Sequence, residues 1–110
     1  RYTRTQKFLE DFAIALGKAS IVVLAPIYGA GEKPIAGVNN IALASAIKKY
    51  NPNKKVLIAE HLNGIKNLLR TNTIEDDMIL VMGAGDINNL WNVLQKSTDK
   101  NQCHPIILAA

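Results

Sequence analysis

Three short segments of this 110-residue chain carry residue types that could do chemistry. The first is the opening Arg1-Tyr2-Thr3-Arg4, where two guanidinium groups flank a tyrosine just ahead of an amphipathic stretch. Permanently charged planar forks of this kind clamp phosphate or carboxylate, although surface arginines near a chain end read the same way. The second is Tyr28-Gly29-Ala30-Gly31-Glu32, in which two glycines permit a φ-positive backbone between a tyrosine and a carboxylate. A loop this long is either a working segment or a surface excursion with Glu32 solvated. The third is Gly83-Ala84-Gly85-Asp86, placed where an apolar run gives way to a helical pattern. Free backbone N–H groups at such a junction favour an anion. The dinucleotide fingerprint needs a further glycine where Asn88 stands, so a tight turn capped by Asp86 is the better reading of this segment by itself.

Other chemistries lack their residues. No phosphate loop of the Gly-x-x-x-x-Gly-Lys-Ser/Thr form is present, since Gly17-Lys18 has neither the upstream glycine nor the following hydroxyl. No carboxylate pair has the setting of a general acid and base, and no metal-ligand spacing occurs around the single cysteine, Cys103. His61 and His104 stand alone and read as structural histidines, and Asp76-Asp77 as a capped or solvated turn. Any nucleotide chemistry involving this segment must take its triphosphate cradle and magnesium from another domain.

Composition agrees with a single α/β domain. At 48% hydrophobic and 20% charged residues the chain is globular rather than disordered, and its longest apolar runs are too short to span a bilayer. A net charge of +4 suits small anions, while 5% aromatic residues leave no base-stacking platform for nucleic acid. No signal-peptide pattern or initiator methionine precedes Arg1, and the chain reads as a piece of something longer in a reducing cytoplasm.

The elements that must position the three segments follow from periodicity. Thr3 and Gln6 form a candidate capping box for a helix with Phe8, Phe12, Leu16 and Ala19 recurring on one face. Residues 20–26 are an apolar run expected of a strand covered on both faces. After the loop 27–40, Leu43, Ala46, Ile47 and Tyr50 mark a helix that stops before Asn51-Pro52. Residues 55–60 predict a second strand, Ile65, Leu68 and Leu69 a helix, and residues 78–82 a third strand. The last helix has Ile87, Leu90, Trp91 and Leu94 inward, so the Trp91 stripe is read as core. His104-Pro105-Ile106-Ile107-Leu108 is either an edge strand or a disordered end. This alternation predicts a Rossmann-like three-layer sandwich with a mostly parallel sheet. Ligands of open parallel sheets bind beyond the carboxyl strand ends, which is where residues 27–40, His61 and Gly83–Asp86 should lie.

Taken in order and spacing, Arg1-Tyr2-Thr3-Arg4-Thr5, then Tyr28-Gly29-Ala30-Gly31-Glu32 with Pro34-Ile35-Ala36-Gly37, then Gly83-Ala84-Gly85-Asp86-Ile87 resemble the Mur ligase family. The likeness is to the C-terminal domain of members that join L-alanine to UDP-N-acetylmuramate, and it covers roughly the first 95 residues. It implies a bacterial, cytoplasmic, three-domain enzyme of peptidoglycan synthesis. Missing N-terminal and central domains would hold the UDP moiety and most of the ATP and Mg, and this domain would close as a lid, inactive alone. The implied reaction phosphorylates the muramyl carboxylate, and the alanine amine then displaces phosphate. Arg1, Tyr2 and Arg4 match the family's arginine segment, Tyr28, Gly31 and Glu32 a loop near the substrate, Gly83 and Gly85 a strand-end turn, and Asp11 a usually acidic position. The family's usual Ala-Asp-Ser after the last loop glycine is Val38-Asn39-Asn40 here, which leaves a ligase acting on a whole peptide as an alternative. A stand-alone nucleotide- or anion-binding module and a protein-docking role for residues 28–40 are further readings. Neither nucleic acid nor membrane is an expected partner.

Overall fold

The computed structural model describes residues 1–83, 85–95 and 106–109, and its order is α1 (Tyr2–Lys7), α2 (Leu9–Leu16), β1 (Ile21–Leu24), α3 (Asn40–Tyr50), β2 (Lys55–Ile58), α4 (Leu62–Asn72), β3 (Ile79–Met82), a 3-10 turn (Gly85–Asn89), α5 (Leu90–Gln95) and β4 (Ile106–Ala109). Cys103 and His104 lie outside the described residues. The four strands form one sheet in the order β2-β1-β4-β3, and every neighbouring pair is parallel. Leu24 is level with Ile58 and Ala109, and Ala109 with Met82. The four strands therefore end together, and the loops after β1, β2 and β3 leave from one edge.

β1 supplies both faces of the core. Val22 and Leu24 pack with Ala13, Leu16, Leu43, Ala44 and Ile47 from α2 and α3. Val23, with Ala25 just beyond the strand, packs with Ile65, Leu69, Ile87 and Leu90. A strand side chain alternates faces at every residue, so an unbroken Ile-Val-Val-Leu run is what two buried faces require. Fully burying each of the Val, Leu and Ile side chains among these stabilises the fold by about 1.5–3 kcal/mol.

Local chemistry sets the helix ends. Asn39 caps α3, its side-chain oxygen accepting from Ala42 N–H at 2.8 Å. At the end of α4, the side chains of Thr71, Asn72 and Thr73 donate back to the carbonyls of Asn67, Leu68 and Leu69, each one turn earlier. Asp77 accepts from Ile74 N–H at 2.8 Å, the capped turn expected of the Asp76-Asp77 pair.

Five sequence expectations need correction. The capping box does not form: Arg1, not Thr3, is the N-cap position of α1, it makes no side-chain cap bond, and the Thr3 hydroxyl is engaged elsewhere. The single first helix is two, interrupted at Phe8, where φ is −114° and ψ 22°. Just upstream the Thr5 hydroxyl bonds back to Arg1 O at 3.0 Å, an arrangement that bends helices. Tyr50 is exposed, because α3 turns its Leu43, Ala44 and Ile47 face inward and ends there. Trp91 is 42% exposed while Leu90 is 1% exposed. The 3-10 turn places Ile87 and Leu90 on one line, three residues being one turn, and Trp91 falls about 100° off it. Finally, the tail segment Ile106–Ala109 is neither an edge strand nor a disordered end. It is an interior strand, held between β1 and β3 by parallel pairing on both sides.

Candidate functional site

The level strand ends open onto a cavity of about 490 Å³, whose wall includes Arg1, Arg4 and Thr5 from the first helix, Ile27, Tyr28 and Ala30 from the loop after β1, and Met82 and Gly83 from the end of β3. Phe12, Leu16, Ala25 and Leu43 give it an apolar floor, and Asn40 adds an amide. A second hollow of about 330 Å³ lies beside it, lined by Pro26, Ile27, Tyr28 and Gly29 on one side and Glu60, His61, Leu62 and Asp86 on the other. Tyr28 and Ile27 border both.

The loop after β1 is fixed to its neighbours at several points. Glu32 N–H donates to Gly29 O at 3.0 Å and closes a turn whose central residues, Ala30 (φ 51°) and Gly31 (φ 87°), are both left-handed. A glycine relieves the strain of that conformation at the second of them. The reversal brings Glu32 to α1, where one carboxylate oxygen accepts from Thr3 N–H at 3.1 Å and the other from Thr3 Oγ1 at 2.7 Å. The Thr3 hydroxyl first, then the Thr3 N–H, hold the Glu32 carboxyl below its ordinary value of 4.5, with a smaller contribution from the Arg1 charge. Alongside, a Cβ placed on Gly29 would lie 3.2 Å from Tyr2 Cε2, so the Tyr2 ring packs against that glycine. At the far end of the loop, Asn40 Nδ2 donates to Ala59 O at 3.2 Å and ties the start of α3 to the end of β2.

The third segment meets the second directly. Gly85 has φ 81°, and the Tyr28 ring occupies the space that a Cβ there would need. The two glycine-bearing loops thus close on each other through one aromatic ring.

Most of the singled-out residues therefore gather at one edge. Arg1, Arg4, Tyr28 and Gly83 line the larger cavity; Tyr2, Glu32 and Gly85 brace its walls; Gly31 sits at the turn. Asp11 is exposed in the first turn of α2 and lines neither hollow. Asp86 falls inside the 3-10 turn and borders the smaller hollow. Sequence reasoning missed Thr3 as the partner of Glu32, because a threonine three residues before a glutamine imitates a capping box. It also missed Thr5 and Asn40, which carry no motif. Among the described residues, no group of three or more His, Cys, Asp or Glu could hold a metal ion, and no helix is long and apolar enough to cross a membrane.

The chain thus has a parallel sheet whose strand ends open onto a cavity lined in part by Arg1 and Arg4, the edge at which α/β sheets commonly take their ligands. Comparison with known proteins gives the particular relationship. The chain is 47% identical over 109 residues to a UDP-N-acetylmuramate–L-alanine ligase of Prochlorococcus marinus (strain MIT 9313), covering 99% of this chain and 22% of that protein. It is 46% identical over 111 residues to the enzyme of that name from Synechococcus sp. (strain CC9311), covering 99% and 23%. A more distant relative of the same name, from Prochlorococcus marinus (strain NATL1A), is 42% identical over 88 residues, 80% of this chain and 18% of the protein. The chain is a homologue of part of these Mur ligases, and the likeness runs beyond the 95 residues that the motifs cover. It spans about a fifth of the length of the curated relatives it matches. No family model matches the chain, and no solved structure does.

Proposed function

We propose that residues 1–110 form a single domain, the C-terminal lid of an ATP-dependent ligase that joins L-alanine to UDP-N-acetylmuramate in the bacterial cytoplasm. The observation that carries this reading is the cavity at the strand ends, where Arg1 and Arg4 face the Tyr28 loop and the end of β3. All three motif segments of the resemblance meet there. On this reading the fold is the Rossmann-like three-layer sandwich, with α2 and α3 on one face of β1 and α4 and α5 on the other.

The chemistry assigned to this segment is electrostatic. Two guanidinium groups over an apolar floor suit an anion whose charge rises during reaction, such as a carboxylate becoming an acyl phosphate. The residues fit the phosphate and carboxylate ends of the substrates. They do not make a magnesium site among the described residues, and the donors for that ion would come from the rest of the enzyme, with the triphosphate cradle. Arg1 and Arg4 orient the anion, and the cavity floor keeps water from the reacting carbonyl. Asp11, away from both hollows, has no contact role in this scheme.

That the relatives are UDP-N-acetylmuramate–L-alanine ligases favours L-alanine over a whole peptide as the incoming amine. The test compares the 110-residue chain with the whole enzyme that contains it, in an assay of phosphate release dependent on ATP, UDP-N-acetylmuramate and L-alanine. Activity confined to the whole enzyme supports the lid reading. Release dependent on a muramyl peptide instead of L-alanine, or nucleotide bound tightly by the short chain alone at Gly85–Ile87, contradicts it.

A further inference from the structure

We infer that Glu32 is a positioning residue for the arginine pair: its carboxylate latches the first turn of α1 to the Tyr28 loop and so fixes Arg1 and Arg4 in the cavity wall. The inference rests on the reading of Arg1 and Arg4 as the anion clamp. Both carboxylate oxygens of Glu32 are taken by Thr3, at 3.1 Å and 2.7 Å, across 29 positions of sequence. Thr3 lies between the two arginines in the chain, and Thr5 closes the same turn by donating its N–H and its hydroxyl to Arg1 O, each at 3.0 Å. One carboxylate thus ties the first turn of this helix to the loop after β1 by two hydrogen bonds.

Among the described residues, Glu32 forms no ion pair with Arg1 or Arg4. That absence matters, since a carboxylate paired with either guanidinium would compete with the ligand. Here the ionised carboxylate is stabilised by hydrogen bonds from a hydroxyl and an amide, and both guanidiniums keep their donors. The turn 29–32 serves the latch, because its two left-handed residues return the chain to α1. The Tyr2 ring against Gly29 is a second seam along the same join. Glu32 itself does not line the large cavity, so its effect on a ligand there passes through Thr3.

Turnover of the whole ligase tests this with Glu32→Gln, Thr3→Val, Thr3→Ser and the Glu32→Gln/Thr3→Val double variant. A glutamine has one acceptor oxygen in place of two and no charge, so it cannot take the two Thr3 bonds on separate oxygens as the carboxylate does. The expected result is a similar fall in kcat for Glu32→Gln and Thr3→Val, between about tenfold and about a hundredfold, as misplacement of a clamp produces. The double variant should lose much less than the product of the two single losses, because both variants disturb the same pair of bonds, the backbone N–H of Thr3 being retained throughout. Thr3→Ser, which keeps the hydroxyl, should restore turnover, and KM for ATP should stay within about twofold throughout. A loss in Glu32→Gln with normal turnover in Thr3→Val, or losses that multiply in the double variant, would overturn the latch. Should Glu32→Gln fail to fold, Thr3→Val against Thr3→Ser carries the same comparison. Arg4→Ala separates the two levels: normal turnover there removes the clamp itself, whereas low turnover there with normal Glu32→Gln removes only the latch.

Discussion

The Tyr28 ring lies against the backbone of Gly85, in the space a side chain at that position would fill, and so joins the loop after β1 to the turn after β3. This contact divides the strand-end crevice into its two hollows, since Tyr28 borders both. It also explains why Gly85 is glycine. The backbone there is left-handed and the ring leaves no room.

Replacing Gly85 with alanine should therefore destabilise the fold twice over. The left-handed backbone alone costs about 1–2 kcal/mol for a residue with a Cβ, and displacement of the Tyr28 ring adds to it. In urea denaturation of the chain, Tyr28→Ala made on top of Gly85→Ala should recover the second part but not the first. Strict additivity of the two substitutions would mean that the ring and the glycine do not interact.

The Glu32 carboxyl gives a pH dependence of definite sign. Its folded-state value is held below 4.5 by the Thr3 hydroxyl and N–H, so the unfolded chain binds the proton more readily. The stability it contributes is present above about pH 4.5 and is lost as pH falls through the lower folded value. Urea midpoints measured from about pH 6 to about pH 3 should fall less steeply in Glu32→Gln than in the unaltered chain. Identical slopes would contradict the two bonds to Thr3.

Position 39 departs from the family's usual aspartate, and the structure gives that residue a capping task that needs no charge. Asn39→Ala should lower stability by about 1 kcal/mol, the common cost of losing an N-cap side chain. Asn39→Asp should be close to neutral in stability, since either side chain offers the oxygen that Ala42 N–H requires. A large gain of turnover in the whole ligase on Asn39→Asp would instead show a charge-dependent role.

Legibility in the sequence followed the range of the interactions. β1 was plain because four consecutive apolar residues satisfy two faces at once, and the end of α3 because Asn51-Pro52 stops a helix. The common edge for the loops followed from strand–helix alternation. What local pattern could not carry was pairing at a distance. The Glu32–Thr3 bonds span 29 positions, and the nearby Gln6 offered a false local partner. Trp91 was misplaced because a 3-10 turn shifts the phase of everything after it, which periodicity at 3.6 residues does not register. The interior position of Ile106–Ala109 depends on strands far back along the chain on both sides.

The central claim is that the arginines at the start of α1 act on the ligand held at the strand ends. It is tested most directly by the turnover of Arg4→Ala in the whole ligase, with circular dichroism to verify folding. The account expects kcat to fall by about a hundredfold to a thousandfold, the scale on which a transition-state charge contact is lost. Wild-type turnover in a well-folded Arg4→Ala enzyme would contradict it.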